Sequence, residues 1–199
     1  MPEAPVLIVE NDPEAVEADL VAGRLCCPGC RVGVLAPWGC ARHRVLRDGQ
    51  AFHPRRGICS KGCGKTHVLL ADVYLVRRRD SVAAIGAALR AVVAERQGVE
   101  DVSVLHCVPL ETLRGWVRRL RRMAVAIRAH FTRWLVALAP GRPPLEAAAS
   151  SSVDALDAIG AAARAASVAL AIRPPWSWAS RLSAGALLSN TSSPWPTPD

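Results

Sequence analysis

The sequence predicts a mainly α-helical protein with a small β-containing module near its N-terminus. Of its 199 residues 51% are apolar but only 5% are aromatic, and alanine-rich stretches fill much of the C-terminal half. This composition is typical of helices rather than of a β-sandwich. Residues 24–70 differ, because they are rich in Gly, Pro, Cys and Arg and contain too little apolar material for a core of their own. Such modules usually depend on a cross-link or a metal ion.

The first 23 residues form an acidic N-terminal segment, with six acidic and no basic side chains. The apolar run at 6–9 predicts a short strand. Asp12 and Pro13 are suited to open a helix, which we expect to reach about Leu20.

Two pairs of cysteines follow, Cys27 with Cys30 and Cys59 with Cys63, separated by two and three residues respectively. A tight turn between paired cysteines directs both sulfurs at one ion, and zinc takes four such ligands at tetrahedral angles. We therefore predict a zinc-ribbon-like domain over residues 24–76, with a structural Zn²⁺ as its cofactor. A catalytic zinc is not expected, because four cysteines leave no open position for water. Other Cys and His residues lie close enough in the sequence to be alternative ligands. They are Cys26 (by a one-residue shift from Cys27), Cys40, His43, His53 and His67.

The seven cysteines are better explained as metal ligands or buried thiols than as disulfides, since the first residues lack the basic stretch of a secretory signal. No run of about 18 uncharged apolar residues is present, which argues against a membrane span. We expect a cytoplasmic protein with no membrane partner.

Positive charge is concentrated in the middle of the chain. Residues 24–133 carry 21 basic and seven acidic side chains, and 23 of the 25 basic residues of the whole chain are arginine. A domain with this charge favours polyanions, most often nucleic acid. The alternative is a solvated basic surface that reflects the codon usage of a GC-rich genome.

Residues 77–139 predict a helix-turn-helix domain. Apolar residues from Val82 to Val92 recur at helical spacing, a short second helix is expected at about 101–106, and a third from Pro109 to about Leu138. In a helix-turn-helix the second helix of the motif projects from a three-helix core. The residues expected to face that core are Val102, Ser103, Val108, Leu113, Trp116 and Val117. Two positions fit the pattern poorly: His106, where a large aliphatic residue is usual, and Cys107, where glycine is common.

The opposite face of the third helix is predicted to contact duplex DNA, because arginine binds phosphate and guanine well. The expected DNA-binding residues on this helix are Glu111, Thr112, Arg114, Arg118 and Arg119. Arg77, Arg78 and Arg79, just before the first helix, are expected to add contacts to the DNA backbone.

The C-terminal region, residues 145–199, predicts an Ala-rich helix at about 153–171 and an irregular tail rich in Trp and Pro from Pro174 onward. This helical region is a candidate surface for a homodimer. Its carboxylates are too few and too close in sequence for a nuclease domain, and no small-molecule substrate is indicated. We therefore do not expect an enzyme.

Six short motifs in order resemble a family: the cysteine pair at 27–30, then 35–39, 54–56, 63–70, 85–89 and 112–116. Together they resemble the uncharacterised zinc-ribbon plus helix-turn-helix proteins of high-GC bacteria, which are similar to the DNA-binding front ends of insertion-sequence transposases. The resemblance spans about residues 20–190 and implies DNA binding with zinc as a structural ion. It implies no catalytic residues.

The sequence thus favours a DNA-binding protein of the transposon-associated or transcriptional-regulator type, with a helix-turn-helix core followed by Ala-rich helices. One alternative is an adaptor, held together by zinc, that binds an acidic protein partner. The other is an inactive transposase remnant.

Overall fold

The computed structural model describes residues 6–148 and 150–189, which divide into two compact units at Ser81 and Val82. The first unit is built around a mixed β-sheet and the second from helices. No helix in these two ranges is both long enough and apolar enough to cross a membrane.

The first unit contains a four-stranded sheet made of β1 (Leu7–Val9), β2 (Val34–Cys40), β5 (Arg55–Ser60) and β6 (Thr66–Ala71). The order of the strands across the sheet is β1, β6, β5, β2. Strand β1 pairs in parallel with β6, and the other neighbours are antiparallel, with a register irregularity between Pro37 and Cys40.

Helix α1 (Pro13–Val21) follows β1 directly. Its first turn is capped by Asp12, whose carboxylate accepts hydrogen bonds from the backbone N–H groups of Glu14 and Ala15. The buried side chains Val16 and Leu20 of this helix join a core cluster with Leu35 and Leu69 of the sheet. The predicted acidic segment 1–23 therefore packs into the same unit as the cysteine-rich region, because β1 completes the sheet and α1 covers it.

A second, two-stranded sheet forms from β3 (Arg44–Val45) and β4 (Ala51–Phe52). Leu46, which follows β3, is buried beside Leu70 and Tyr74. The apolar contacts of Leu46 therefore hold this small hairpin against the end of β6.

The second unit consists of five helices within the described residues. They are α2 (Val82–Val93), α3 (Val99–Leu105), α4 (Leu110–Leu138), α5 (Ser151–Ala169) and α6 (Pro175–Leu182). Helix α4 packs extensively along α5, where a row of buried alanines permits close approach of the two backbones. Five of the residues expected to face the core are buried, and Ser103 is half-buried; the buried ones are Val102, Val108, Leu113, Trp116 and Val117.

Two features differ from the sequence-based expectations. Helices hold 46% of the described residues, so the fold is mixed α/β rather than mainly α. The tail predicted to be irregular contains α6, which starts with Pro175 at a first-turn position that suits proline. Trp178 on this helix is buried and donates hydrogen bonds to Ser167 Oγ and the Ala171 carbonyl. The rest of the tail, 190–199, lies outside the described residues.

Candidate functional site

Four cysteines of the first unit come together in space. The sulfurs of Cys27, Cys30, Cys59 and Cys63, here called the cysteine cluster, all lie within 4.8 Å of one another. Cys27 Sγ is 3.7 Å from Cys63 Sγ, and Cys30 Sγ is 3.6 Å from Cys59 Sγ. Sulfurs at such separations can share one tetrahedral ion. These are the four metal ligands that the sequence predicts, and the cluster can hold a metal ion.

Two short turns position the cluster. The first, before β2, is closed by hydrogen bonds from Cys27 N to the Gly33 carbonyl and from Arg31 N to the Cys27 carbonyl. The second joins β5 to β6 and is closed by Cys59 N donating to the Lys65 carbonyl. Arg31 and Lys61 each adopt a left-handed backbone conformation, with φ of 56° and 57°. The turns therefore bend tightly enough to face both cysteine pairs inward.

The surroundings of the sulfurs fit a bound ion. A Cβ added at Gly33 would lie 2.5 Å from Cys59 Sγ, and one at Gly62 would lie 2.7 Å from Cys59 Sγ and 2.9 Å from Cys30 Sγ. Only glycine leaves the two turns room to approach the sulfurs so closely. The donor set is also suitable, because four thiolates form a closed tetrahedral site of the structural kind.

His67 is the histidine of the first unit that contacts the cluster. It lies on β6, is fully buried, and places its Nε2 atom 3.2 Å from Cys27 Sγ. An imidazole N–H at that distance can donate a hydrogen bond to a thiolate and so stabilise it. By its place in the sequence His67 is an alternative ligand, whereas the geometry makes it a hydrogen-bonding partner of Cys27.

The thiols of the cluster have unequal acidity. Hydrogen bonds from the backbone N–H groups near Gly33, Val32 and Cys63 lower the pKa of Cys30 to about 6. Burial, with further contributions from the Cys27 and Cys30 thiols, raises the pKa of Cys59 to about 12. Cys30 can therefore bind a metal ion as a thiolate that is already formed. Cys59 loses its proton only when a cation takes the proton's place.

The remaining candidate ligands are not part of the cluster. Cys26 is exposed. Cys40 at the end of β2 is contacted by the Arg55 guanidinium. His43 and His53 contact each other, with ring centroids 4.6 Å apart.

The second predicted site is the exposed face of α4. Leu113, Trp116, Val117 and Leu120 are buried on the inner side of this helix. Arg118, Arg121 and Arg122 are exposed on the other side, and we call these three residues the basic face. The sequence-based prediction did not include Arg121 and Arg122. They follow Arg118 by three and four residues, and this spacing places them on the same face of a helix, so helical periodicity could have identified them. Arg119 and Thr112 are half-buried at the border of this face.

Arg114 is held in two ion pairs. Its guanidinium lies 2.8 Å from a Glu111 carboxylate oxygen and 2.7 Å from a Glu100 oxygen on α3. These carboxylates raise the pKa of Arg114, Glu111 contributing first. The pKa of Glu100 is lowered first by a hydrogen bond from its own backbone N–H and then by the hydrogen bond from Arg114. Both Arg114 and Glu111 were predicted to contact DNA. In the structure they tie the start of α4 to α3.

The turn between α3 and α4 contains the two residues that fit the sequence pattern poorly. Ser103 Oγ donates a hydrogen bond to the Val108 carbonyl at 2.7 Å and closes the turn. His106 ends α3 and is half-exposed. Cys107 has a φ of 50°, the left-handed conformation that explains why glycine is common at such a position.

The three consecutive arginines Arg77, Arg78 and Arg79 belong to the first unit. Arg77 and Arg79 are exposed and Arg78 is half-buried. The structure therefore assigns them to the unit of the cysteine cluster.

No protein-family model, curated protein or solved structure matches this chain.

Proposed function

We propose that this protein binds duplex DNA through the first half of α4, and that the cysteine cluster holds a structural zinc ion. The observation that carries the DNA proposal is the basic face, where three exposed arginines occupy adjacent helical positions opposite a fully buried side. The turn between α3 and α4 is closed by the hydrogen bond from Ser103 to Val108. A helix that follows such a turn is the one that enters the groove in helix-turn-helix proteins, which supports the same role for α4.

The charge and the dimensions of α4 suit binding in a DNA groove. An α-helix fits the B-DNA major groove, and arginine binds phosphates and guanine edges through a planar fork of N–H groups. From Arg114 to Arg122 the helix rises about 12 Å, close to the width of that groove. We assign most of the affinity to Arg118, Arg121 and Arg122, because the ion pairs of Arg114 must open before it can contact a base.

The zinc proposal rests on the donor set and its surroundings. Thiolate ligands select Zn²⁺ over the hard cations Mg²⁺ and Ca²⁺, and a four-cysteine site has no open coordination position. The zinc ion therefore has a structural role, holding the two turns against each other. Arg77, Arg78 and Arg79 lie in this unit and are suited to contact the DNA backbone.

The test of DNA binding compares two double variants of equal charge. Arg118→Gln with Arg122→Gln removes two cations from the basic face. Arg142→Gln with Arg164→Gln removes two exposed cations elsewhere in the second unit. Affinity for random duplex DNA is measured by fluorescence anisotropy across a salt series.

We expect the basic-face variant to bind more weakly and to lose about two units from the slope of log affinity against log salt, since each phosphate contact contributes roughly 0.9. The control variant should keep the slope of the unaltered protein. Equal slopes for both variants would overturn the proposed role of α4.

A second candidate function is binding of an acidic protein partner, with zinc again structural. It is favoured by Val104 and Leu105 at the end of α3, which are 79% and 70% exposed, because exposed apolar side chains that neighbour each other are typical of protein interfaces. Loss of partner capture in Leu105→Ser, with unchanged affinity for duplex DNA in the basic-face variant, would favour this candidate. The homodimer through the C-terminal helices stays a prediction, which sedimentation equilibrium can test.

A further inference from the structure

Two close sulfur contacts in the cysteine cluster connect one turn with the other. Cys27 Sγ lies 3.7 Å from Cys63 Sγ, and Cys30 Sγ lies 3.6 Å from Cys59 Sγ. In each contact one cysteine belongs to the turn before β2 and the other to the turn between β5 and β6. The two contacts use each of the four sulfurs once, and we call them the cross-turn pairs.

The two members of each cross-turn pair differ in their access to solvent. Cys63 is exposed, whereas its partner Cys27 is only 1% exposed. Cys30 is half-buried, whereas its partner Cys59 is only 3% exposed. A small oxidant can therefore reach one sulfur of each pair, and a buried sulfur waits next to it. Cysteines that respond to oxidants are typically accessible and have such a second cysteine beside them.

The backbones of the two turns are already in contact at two glycines. A Cβ added at Gly33 would lie 3.1 Å from the Cα of Gly62, and one added at Gly62 would lie 3.0 Å from the Cα of Gly33. The sulfurs of a disulfide are about 2.05 Å apart, so each cross-turn pair has to close by roughly 1.6 Å. We expect rotation of the cysteine side chains to achieve this, because the turns do not have to approach each other first.

We propose that the cysteine cluster is a site of thiol oxidation, at which hydrogen peroxide converts the cross-turn pairs into the disulfides Cys27–Cys63 and Cys30–Cys59. In the first step the accessible thiolate attacks the O–O bond, an S–O bond forms and hydroxide leaves, which gives a sulfenic acid. In the second step the buried thiolate attacks that sulfur, an S–S bond forms and a second hydroxide leaves. Each disulfide consumes one peroxide, whose O–O bond accepts the two electrons that the sulfurs lose.

Oxidation of the cross-turn pairs would expel a bound metal ion. The thiolate is the form of cysteine that binds zinc, and both disulfides together remove all four thiolates of the cluster. Both disulfides also join the two turns, as the ion does, so the turns stay linked after the ion has left. The release of zinc rests on the proposed zinc site, whereas the pairing of the sulfurs rests on their distances alone.

The test is to map the disulfides in the full chain before and after treatment with hydrogen peroxide. Free thiols are alkylated, and the chain is then digested with trypsin. Cleavage after Lys and Arg puts Cys27 and Cys30 together in peptide 25–31, Cys59 in peptide 57–61 and Cys63 in peptide 62–65. Mass spectrometry identifies the linked peptides, and their fragment spectra identify the linked sulfurs. The zinc content is measured beforehand by elemental analysis, and its release is followed with a chromophoric chelator.

We expect peptide 25–31 to become linked both to 57–61 and to 62–65, with release of about one zinc ion per chain. Dithiothreitol should remove both links. A link between peptides 57–61 and 62–65 would overturn the proposed pairing, because it joins the two cysteines of one turn. Sulfinic acids without disulfides would overturn it as well.

Two variants complete the test. Cys26→Ser is the control, since Cys26 also lies in peptide 25–31 but outside the cluster. This variant should form both links. In Cys63→Ser we expect the link between 25–31 and 57–61 to remain, because Cys30 and Cys59 are unaltered.

Failure of this proposal is distinguishable from failure of the proposed zinc site. A chain that contains no zinc but forms the cross-turn disulfides contradicts the zinc site and supports the oxidation site. A zinc-loaded chain that forms no disulfide with peroxide supports the zinc site and overturns the oxidation site.

Discussion

The Nε2 atom of His67 lies 3.2 Å from the sulfur of Cys27, a contact between strand β6 and the first cysteine turn. Both side chains are buried, so this contact is shielded from water. The imidazole ring also packs against the backbone of that turn, since a Cβ at Gly29 would lie 3.2 Å from the His67 ring. His67 therefore links the position of Cys27 to the sheet.

Replacing His67 should weaken the metal site while leaving its four ligands in place. In His67→Phe, which keeps a ring but has no N–H donor, we expect the affinity for Zn²⁺ to fall about 10- to 100-fold, because the thiolate of Cys27 loses a buried hydrogen-bond donor. Competition with a chromophoric chelator measures this, and His53→Phe is the matched control at an exposed position. The Co²⁺ spectrum should remain that of four thiolate ligands. A three-thiolate spectrum in the unaltered protein would contradict this role and make His67 a ligand.

The close approach of Gly62 to the sulfurs of the cysteine cluster can be tested by adding a Cβ at this position. Gly62→Ala places a Cβ 2.7 Å from Cys59 Sγ, so the cluster must open before it can bind an ion. We expect Zn²⁺ affinity to fall by about tenfold or more, as overpacking costs about 1–3 kcal/mol. Gly115→Ala, at a position with nothing within 4 Å of the added Cβ, is the control. Unchanged affinity in Gly62→Ala would show that the ion does not sit among these sulfurs.

Packing within the second unit can be tested at Gly86. A Cβ at this position would overlap the indole ring of Trp176, so α6 has to move if the residue becomes alanine. We expect Gly86→Ala to lower the free energy of unfolding by about 1–3 kcal/mol in spite of alanine's better helix propensity. Gly115→Ala, also within a helix, should be neutral or stabilising. Urea denaturation followed by tryptophan fluorescence compares the two, and equal stability would contradict the overlap.

The stability of the second unit should depend on pH through His130. This side chain is buried, and burial lowers its pKa, although its hydrogen bond to the Leu182 carbonyl at 2.8 Å acts in the opposite direction. Below about pH 6.5 the unfolded chain takes up a proton that the folded protein resists, so stability is complete above this pH and falls as the pH decreases.

We expect the thermal midpoint to drop between about pH 7 and pH 5, and to drop less in His130→Gln, which cannot be protonated in this range. The Leu182 carbonyl keeps a donor in that variant, since Trp134 Nε1 lies 3.1 Å from it. Equal pH dependence in both proteins would exclude His130 as the source. Differential scanning calorimetry provides the measurement.

The cysteine site could be predicted because its information is local. Two close pairs of cysteines with glycines nearby specify tight turns, and four sulfurs are a complete ligand set. The role of His67 could not be predicted in the same way. Its position depends on the register of β6 against β5, in which His67 lies opposite Gly57, and that register is set by packing over the whole sheet.

The ion pairs of the arginines on α4 could not be predicted from the sequence either. Helical periodicity separates the buried face, with Leu113 and Trp116, from the exposed face. It does not reveal that Arg114 is paired with Glu100 of another helix, because the two residues are 14 positions apart.

Short-range spacing and composition are enough to predict the four clustered cysteines, the helices of the second unit up to α5 and the location of positive charge. Only the folded chain shows that β1 completes the sheet, that Pro175–Leu182 form a helix and which arginines are paired. Such features depend on contacts between residues far apart in the chain, whose free energy is gained only when the whole unit has packed.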